Sequence, residues 1–282
     1  VTHPVFACAG LFFPFFLLAM LGFVVVWLFH CRKLACLPLA FLLLGGGAVL
    51  TYTPFKDGED EADGEVMKFL TYNVMHMQGD TEEEGYPLRR YIQESDADVV
   101  CLQEYLWDEQ KTKKVFPMYP YRRLLKASNG NGMACLSRFP ILSVKQISYV
   151  SGNNASFLLK LKMKEDTLSL VCNHLESNKL DAHDKEVYEG LLKSPNEQKV
   201  KSDSKYLLRK LADAVAIRGP QADSVAQVIS RQSGKYLLVC GDFNDSPISY
   251  AHHTIGKGLT DAYREAGWDR DSRITGIFCI SA

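Results

Sequence analysis

Four segments of this 282-residue chain close an apolar run on side chains able to bind a metal ion or a phosphate. KFLTYNV ends near Asn73, VVCLQE ends on Glu104, and SLVCNHL ends on Asn173 and His174. The fourth, YLLVCGDFNDSP, opens through Gly241 onto Asp242, Phe243, Asn244 and Asp245. Polar residues just past strand ends line the rim where layered α/β proteins hold their ligands. Each ending alone is ordinary turn chemistry, because Gly, Asn and Asp terminate strands and bond their own backbone. Together they offer an oxygen ligand for a hard divalent cation, a carboxylate and carboxamide for water and a phosphate oxygen, and an imidazole for a proton or a charge. That set suits chemistry at phosphorus.

The elements that must present these residues follow from periodicity. Val66–Val74 and Asp98–Gln103 read as strands, with the amphipathic stretch Pro87–Glu94 between them. Their short continuous apolar runs suit strands covered on both faces. From Gly132 to Asn173 successive strands are expected, including a hairpin whose two-residue turn falls at Glu165 and Asp166. Helical spacing returns at Leu208, Leu211 and Val215 and again at Val225, Val228 and Ile229, with Gly219-Pro220 expected to separate two helices. Helix, hairpins, helix and strand in that order imply mixed sheets with helices outside, most simply an α/β (α+β) two-sheet sandwich with helical flanks.

Before this unit stand two apolar runs, Val5–Phe29 and Leu34–Leu50, around a basic hinge with Arg32 and Lys33. The first can span a hydrocarbon core, which takes about 20 residues, and the second is near the lower limit. Residues 1–53 therefore read as a transmembrane helical hairpin, residues 54–65 as an acidic solvated linker, and residues 66–282 as the catalytic unit. No basic n-region precedes Phe6, which argues against a cleaved signal peptide. The two basic hinge residues favour a cytoplasmic loop, with the catalytic unit on the extracytoplasmic side. Lys and Arg total 32 against 33 Asp and Glu, so no general attraction to nucleic acid is built in. Cys101, Cys172 and Cys240 lie in apolar runs, where thiols pack as small hydrophobes, and no C-x-x-C spacing suggests zinc.

In TYNV, LQE, SRFPI, NHL and GDFN, in that order, the chain resembles the endonuclease/exonuclease/phosphatase family, with its deoxyribonuclease-I-like fold. The resemblance covers Lys68 to about Trp268, and the apolar hairpin is similar to that of bacterial envelope members, which implies an inner-membrane location. It implies a phosphoesterase or phosphodiesterase in which Glu104, with Asn73 beside it, binds the catalytic cation, Mg²⁺ with Mn²⁺ as a substitute. His174 contacts the scissile phosphate, while Asp242 and Asn244 orient the attacking water and hold a phosphate oxygen for in-line displacement. Asn154 and Arg138 are expected to bind substrate, and Asp245 to cap a turn. His76, His183, His252 and His253 match nothing. Substrates implied are a phospholipid headgroup, a small phosphoester or nucleic acid.

The family pattern also carries an Asp on a late strand and a C-terminal Ser-Asp-His, for which residues up to Ala282 offer no counterpart. Read with the missing initial Met, this leads to the expectation of a chain shortened at both ends and inactive by itself. A reading from another class is a membrane-tethered module that binds phosphate ligands without turnover.

Overall fold

Each residue along a strand faces the side opposite its neighbour, and here both sides are apolar. In the stretch Val99–Gln103, Val99 and Cys101 enter one hydrophobic cluster while Val100 and Leu102 enter another. Leu170 and Cys172 likewise face the first cluster while Val171 faces a third. Strands so patterned must be covered on both faces, which is what the chain achieves.

The computed structural model describes residues 3–53, 66–126, 131–193, 197–266 and 278–281. In chain order its N-terminal elements are α1 (Pro4–Ala7), a 3-10 turn (Cys8–Phe12), α2 (Phe13–His30), α3 (Cys36–Leu44) and α4 (Gly46–Tyr52). There follow β1 (Phe69–Asn73), α5 (Pro87–Glu94), β2 (Val99–Gln103), α6 (Glu109–Val115), β3 (Tyr121–Lys126), β4 (Gly132–Ser137), β5 (Ile141–Ile147), β6 (Ser156–Met163) and β7 (Asp166–His174). The chain continues through α7 (Ala182–Lys193), α8 (Glu197–Ser230), β8 (Tyr236–Asp242), α9 (Tyr250–Ile255), β9 (Thr260–Asp261), α10 (Ala262–Ala266) and β10 (Phe278–Ser281).

Two mixed sheets result, one in the order β1-β2-β4-β3 and one in the order β5-β6-β7-β8-β10-β9. The inner core between them joins Val99, Cys101, Met133 and Cys135 to Leu159, Leu170, Cys172 and Cys240. The Sγ atoms of Cys101, Cys172 and Cys240 lie within 4.8 Å of one another, as unbonded thiols inside that core. Outside the first sheet, Ile92 of α5 and Phe116 pack on Val100, Leu102 and Leu136. Outside the second, Val225 and Ile229 of α8 and Ile255 of α9 pack on Val171, Leu237 and Val239. This is the helix-flanked two-sheet sandwich expected from sequence.

Within each sheet one strand pair is parallel, β1 with β2 and β7 with β8. Parallel neighbours need a crossover, supplied by α5 in the first case and by α7 and α8 in the second. Asn73 is thereby set in register with Gln103, and Asn173 and His174 with Gly241 and Asp242.

Three expectations change in detail. The β6–β7 turn lies at Lys164 and Glu165, one residue earlier than expected, because Met163 pairs with Asp166. Pro220 does not separate two helices; it sits inside α8. A proline inside a helix costs about 3 kcal/mol or more, and tertiary anchors on both sides of it offset that cost. Buried Arg218 donates to the Glu176 carbonyl and Asn178 Oδ1, and Gln221 donates to the Val150 carbonyl and accepts from the Glu176 amide. At the N-terminus, Pro4–His30 is the one run among the described residues long and apolar enough to cross a membrane. The second arm breaks at Gly45 into α3 and α4, of nine and seven residues, each short of a span, although it folds back so that Tyr52 stacks on Phe13 at 5.0 Å. The acidic linker falls outside the described residues.

Candidate functional site

The C-terminal ends of the two parallel pairs meet across the sandwich, one from each sheet. Asn73 ends β1, and its Nδ2 donates both to Glu104 Oε1 at 3.1 Å and to Asp242 Oδ2 at 2.9 Å. His174 ends β7, with Nε2 3.7 Å from Glu104 Oε1 and 4.0 Å from Asp242 Oδ2. Thus four of the residues singled out by sequence, contributed by four strand ends, close into one cluster.

Local backbone geometry aims them. Just past β2, Glu104 adopts a left-handed φ of 54°, fixed because its carbonyl accepts from the His76 amide and the Tyr105 amide donates to the Gly132 carbonyl. Asn244 is also left-handed, at φ 52°, where its own amide donates to Asp242 Oδ1. Strained non-glycine residues persist only where the surroundings over-determine them, and they concentrate at functional sites. Gly241 has φ +123°, and a Cβ there would fall 2.0 Å from the Asn173 carbonyl oxygen. Only glycine brings β8 close enough to β7 for His174 and Asp242 to share one rim.

Asn154 belongs to the same rim. Its Nδ2 and that of Asn244 both donate to the Leu175 carbonyl, at 2.6 and 3.0 Å, and its Oδ1 accepts from Asn131. Arg138 does not. It follows Ser137, which pairs with Val99 at the start of β2, whereas Glu104 follows Gln103 at the end of that strand. At about 3.3 Å per residue the five-residue strand sets Arg138 well over 15 Å from the cluster, where it is held by Asp96 and Asp98. Its expected role in substrate binding is therefore corrected to that of a far-rim ion pair. Asp245 does more than cap a turn, since it accepts from buried Arg218 Nε at 3.0 Å while also receiving the Ser246 amide.

Two histidines that matched nothing in sequence lie at the site. His76, in a left-handed turn after β1, has Nε2 3.8 Å from Glu104 Oε2 and 3.3 Å from Asn131 Oδ1. His252 of α9, whose ring lies 5.7 Å from that of Phe243, lines the cleft, as does Asp261 of β9. Asp261 went unnoticed because β9 is two residues long and has no alternation to read. The stretch before it, Gly256-Lys257-Gly258-Leu259-Thr260, lacks the apolar run that marks the four motifs.

The electrostatics of the cluster are set by two carboxylates and a buried imidazole. Glu104 and Asp242 share one neutral amide, and two neighbouring carboxylates call for a counter-charge. His174 cannot supply it readily, because burial pushes its pKa below the usual histidine range, opposed by Asp242 and Glu104. Both its ring nitrogens are buried without a hydrogen-bond partner. A hard divalent cation needs only one or two protein carboxylates plus waters and substrate oxygens, so the Glu104 and Asp242 carboxylates suit one, with Asn73 tied to both through Nδ2 while its Oδ1 accepts from the Met75 amide. A cleft of about 840 Å³ opens over Asn73, Asp242 and Asn244.

Comparison with known proteins follows the same outline. Residues 70–278 match the model of the endonuclease/exonuclease/phosphatase family, and residues 1–52 match a domain of unknown function, DUF8431. No curated protein matches significantly. Among solved structures, D. rerio TDP2 humanised by 14 mutations is similar with a TM-score of 0.53 and 17% identity, over 77% of this chain and 82% of that one. D. rerio TDP2 complexed with a single-strand DNA product gives 0.53 and 16%, over 77% and 84%. Truncated Caenorhabditis elegans TDP2 gives 0.51 and 14%, over 76% and 84%. At these identities the likeness is one of fold.

Proposed function

Since the chain belongs to the endonuclease/exonuclease/phosphatase family, whose members hydrolyse phosphoesters, we propose that it is a divalent-metal-dependent phosphodiesterase anchored to a membrane by its N-terminal helices. The observation that carries the reading is the Asn73 amide shared by Glu104 and Asp242, with His174 behind both carboxylates. Glu104 would hold the cation, with Asn73 beside it steadying the carboxylate and Asp242 on its other flank; Mg²⁺ there would draw charge from a phosphoryl oxygen.

The chain's own groups do the rest. Asp242 and Asn244, locked to each other through the Asn244 amide, orient a water for in-line attack at phosphorus and hold a phosphate oxygen. Neutral His174 donates a hydrogen bond to the phosphate as the bond to the leaving oxygen breaks. Asn154, tied to the same Leu175 carbonyl as Asn244, steadies that half of the rim and reaches the substrate from it.

The test is hydrolysis of bis(p-nitrophenyl) phosphate by the full chain with Mg²⁺, Mn²⁺ or a chelator. Metal-dependent turnover is expected, with Glu104→Gln lowering kcat/KM by about 10²-fold or more. Absence of metal-dependent turnover in the unmodified chain would overturn the reading and leave a phosphate-binding module.

A further inference from the structure

Part of the lining of the cleft over Asn73 and Asp242 comes from the apolar N-terminal segment, through Leu11, Pro14 and Tyr52. That segment is seated firmly. Cys8 is buried against Ala212 and Val215 of α8, and Gly10 lies so close to the loop after β8 that a Cβ would come within 2.8 Å of Ser246 Oγ. Tyr52 donates to the Gly10 carbonyl at 2.8 Å, and Tyr263, another lining residue, donates to the Tyr52 carbonyl at 3.2 Å.

Pro4–Phe12 is thus held against the catalytic unit, and the part of the apolar run free to enter a bilayer begins at Phe13. Eighteen residues of α2 span about 27 Å at 1.5 Å per residue, close to the hydrocarbon thickness. Phe12 is exposed beside this start, and Phe13 and Tyr52 stack at the same level, as aromatic residues do at a membrane interface. Arg32 and Lys33 lie past the other end of α2. With α2 in a bilayer, the headgroup layer would lie level with Leu11, Pro14 and Tyr52, which line the cleft. Asp242, Asp245 and Asp261 line the cleft, and no Lys or Arg does so among the described residues. Polyanionic nucleic acid is drawn to basic surfaces, so this lining disfavours it.

Resting on the phosphodiesterase reading, we propose that the substrate is a phosphodiester lipid of the same bilayer. Its phosphate would meet Asn73, Asp242 and Asn244, while its glycerol-proximal apolar part lies along Leu11, Pro14 and Tyr52. The water oxygen bonds to phosphorus as the bond to the leaving alkoxide oxygen breaks, and the proton that the water gives up ends on that oxygen.

The full chain is reconstituted with Mg²⁺ in vesicles of phosphatidylcholine and phosphatidylglycerol, and bis(p-nitrophenyl) phosphate and a single-stranded oligonucleotide are offered in parallel. Lipid in the protein's own vesicles should be hydrolysed and lipid added in separate vesicles spared. Leu11→Glu should lower kcat/KM for lipid about tenfold or more beyond its effect on the nitrophenyl diester; Leu11→Ala replaces it if the charged variant fails to insert. Cleavage of the soluble diester or the oligonucleotide while the vesicle lipid stays intact, equal cleavage of lipid in separate vesicles, or equal loss on both substrates would overturn the lipid assignment and spare the phosphodiesterase reading. No turnover of any substrate, with Glu104→Gln indistinguishable, would remove both.

Discussion

At the scale of residues, the carboxamide of Asn73 sets the site, because one Nδ2 reaches a carboxylate on each sheet. Asn73→Ala leaves Glu104 and Asp242 without that shared donor, and a misplacement of about 1 Å can lower turnover on the order of 10²-fold. Arg138→Ala provides the contrast. As a solvent-screened far-rim ion pair it should change stability little and leave the diester's kcat/KM within about twofold; a tenfold loss would return Arg138 to the site. Motif spacing made Asn73, Glu104, His174, Asp242 and Asn244 legible, because strand ends carry fixed side chains to a shared rim. Arg138 was misassigned because a motif shows adjacency along the chain and not which end of a strand its residues occupy. His76 and Asp261 escaped because their placement depends on a left-handed turn and a two-residue strand.

At the scale of elements, two parallel strand pairs do the positioning, and the tightest point in either is Gly241. Gly241→Ala places a methyl against the Asn173 carbonyl at a φ that L side chains rarely adopt, which should cost about 1–3 kcal/mol or more. Chemical denaturation reads this directly; a loss below about 1 kcal/mol would mean that β7 and β8 yield without strain. The strands themselves were legible because their alternation is apolar on both faces. The continuity of α8 through Pro220 was not, since the hydrogen bonds of Arg218 and Gln221 that hold it come from residues far away in sequence. Nor was the turn residue pair between β6 and β7, where register rather than composition decides.

At the scale of the whole molecule, composition announced an apolar N-terminus and a catalytic unit but said nothing of how they meet. That contact rests on small residues, Cys8, Gly10 and Ala212, which carry no periodic signal. The arrangement sets an expected topology, with the turn between α2 and α3 on the face of the membrane opposite the cleft. Cys31 and Cys36 are exposed there, while Cys8, Cys101, Cys135, Cys172 and Cys240 are buried. In a Cys279→Ser background a membrane-impermeant maleimide should label intact cells only after permeabilisation, and labelling from outside would reverse the topology.

The division of the site between two sheets has a thermodynamic consequence. Asn73 and Glu104 ride on one layer, His174 and Asp242 on the other, so a cation gripped by both works as a clasp on the sandwich. Its affinity and the closure of the layers are then two readings of one linked equilibrium. Mg²⁺ at a hundred times its Kd should stabilise the fold by about 2.7 kcal/mol, seen as a Tm that climbs with Mg²⁺ concentration. Glu104→Gln should flatten that climb, and an undiminished rise in the variant would show that the cation grips one layer only.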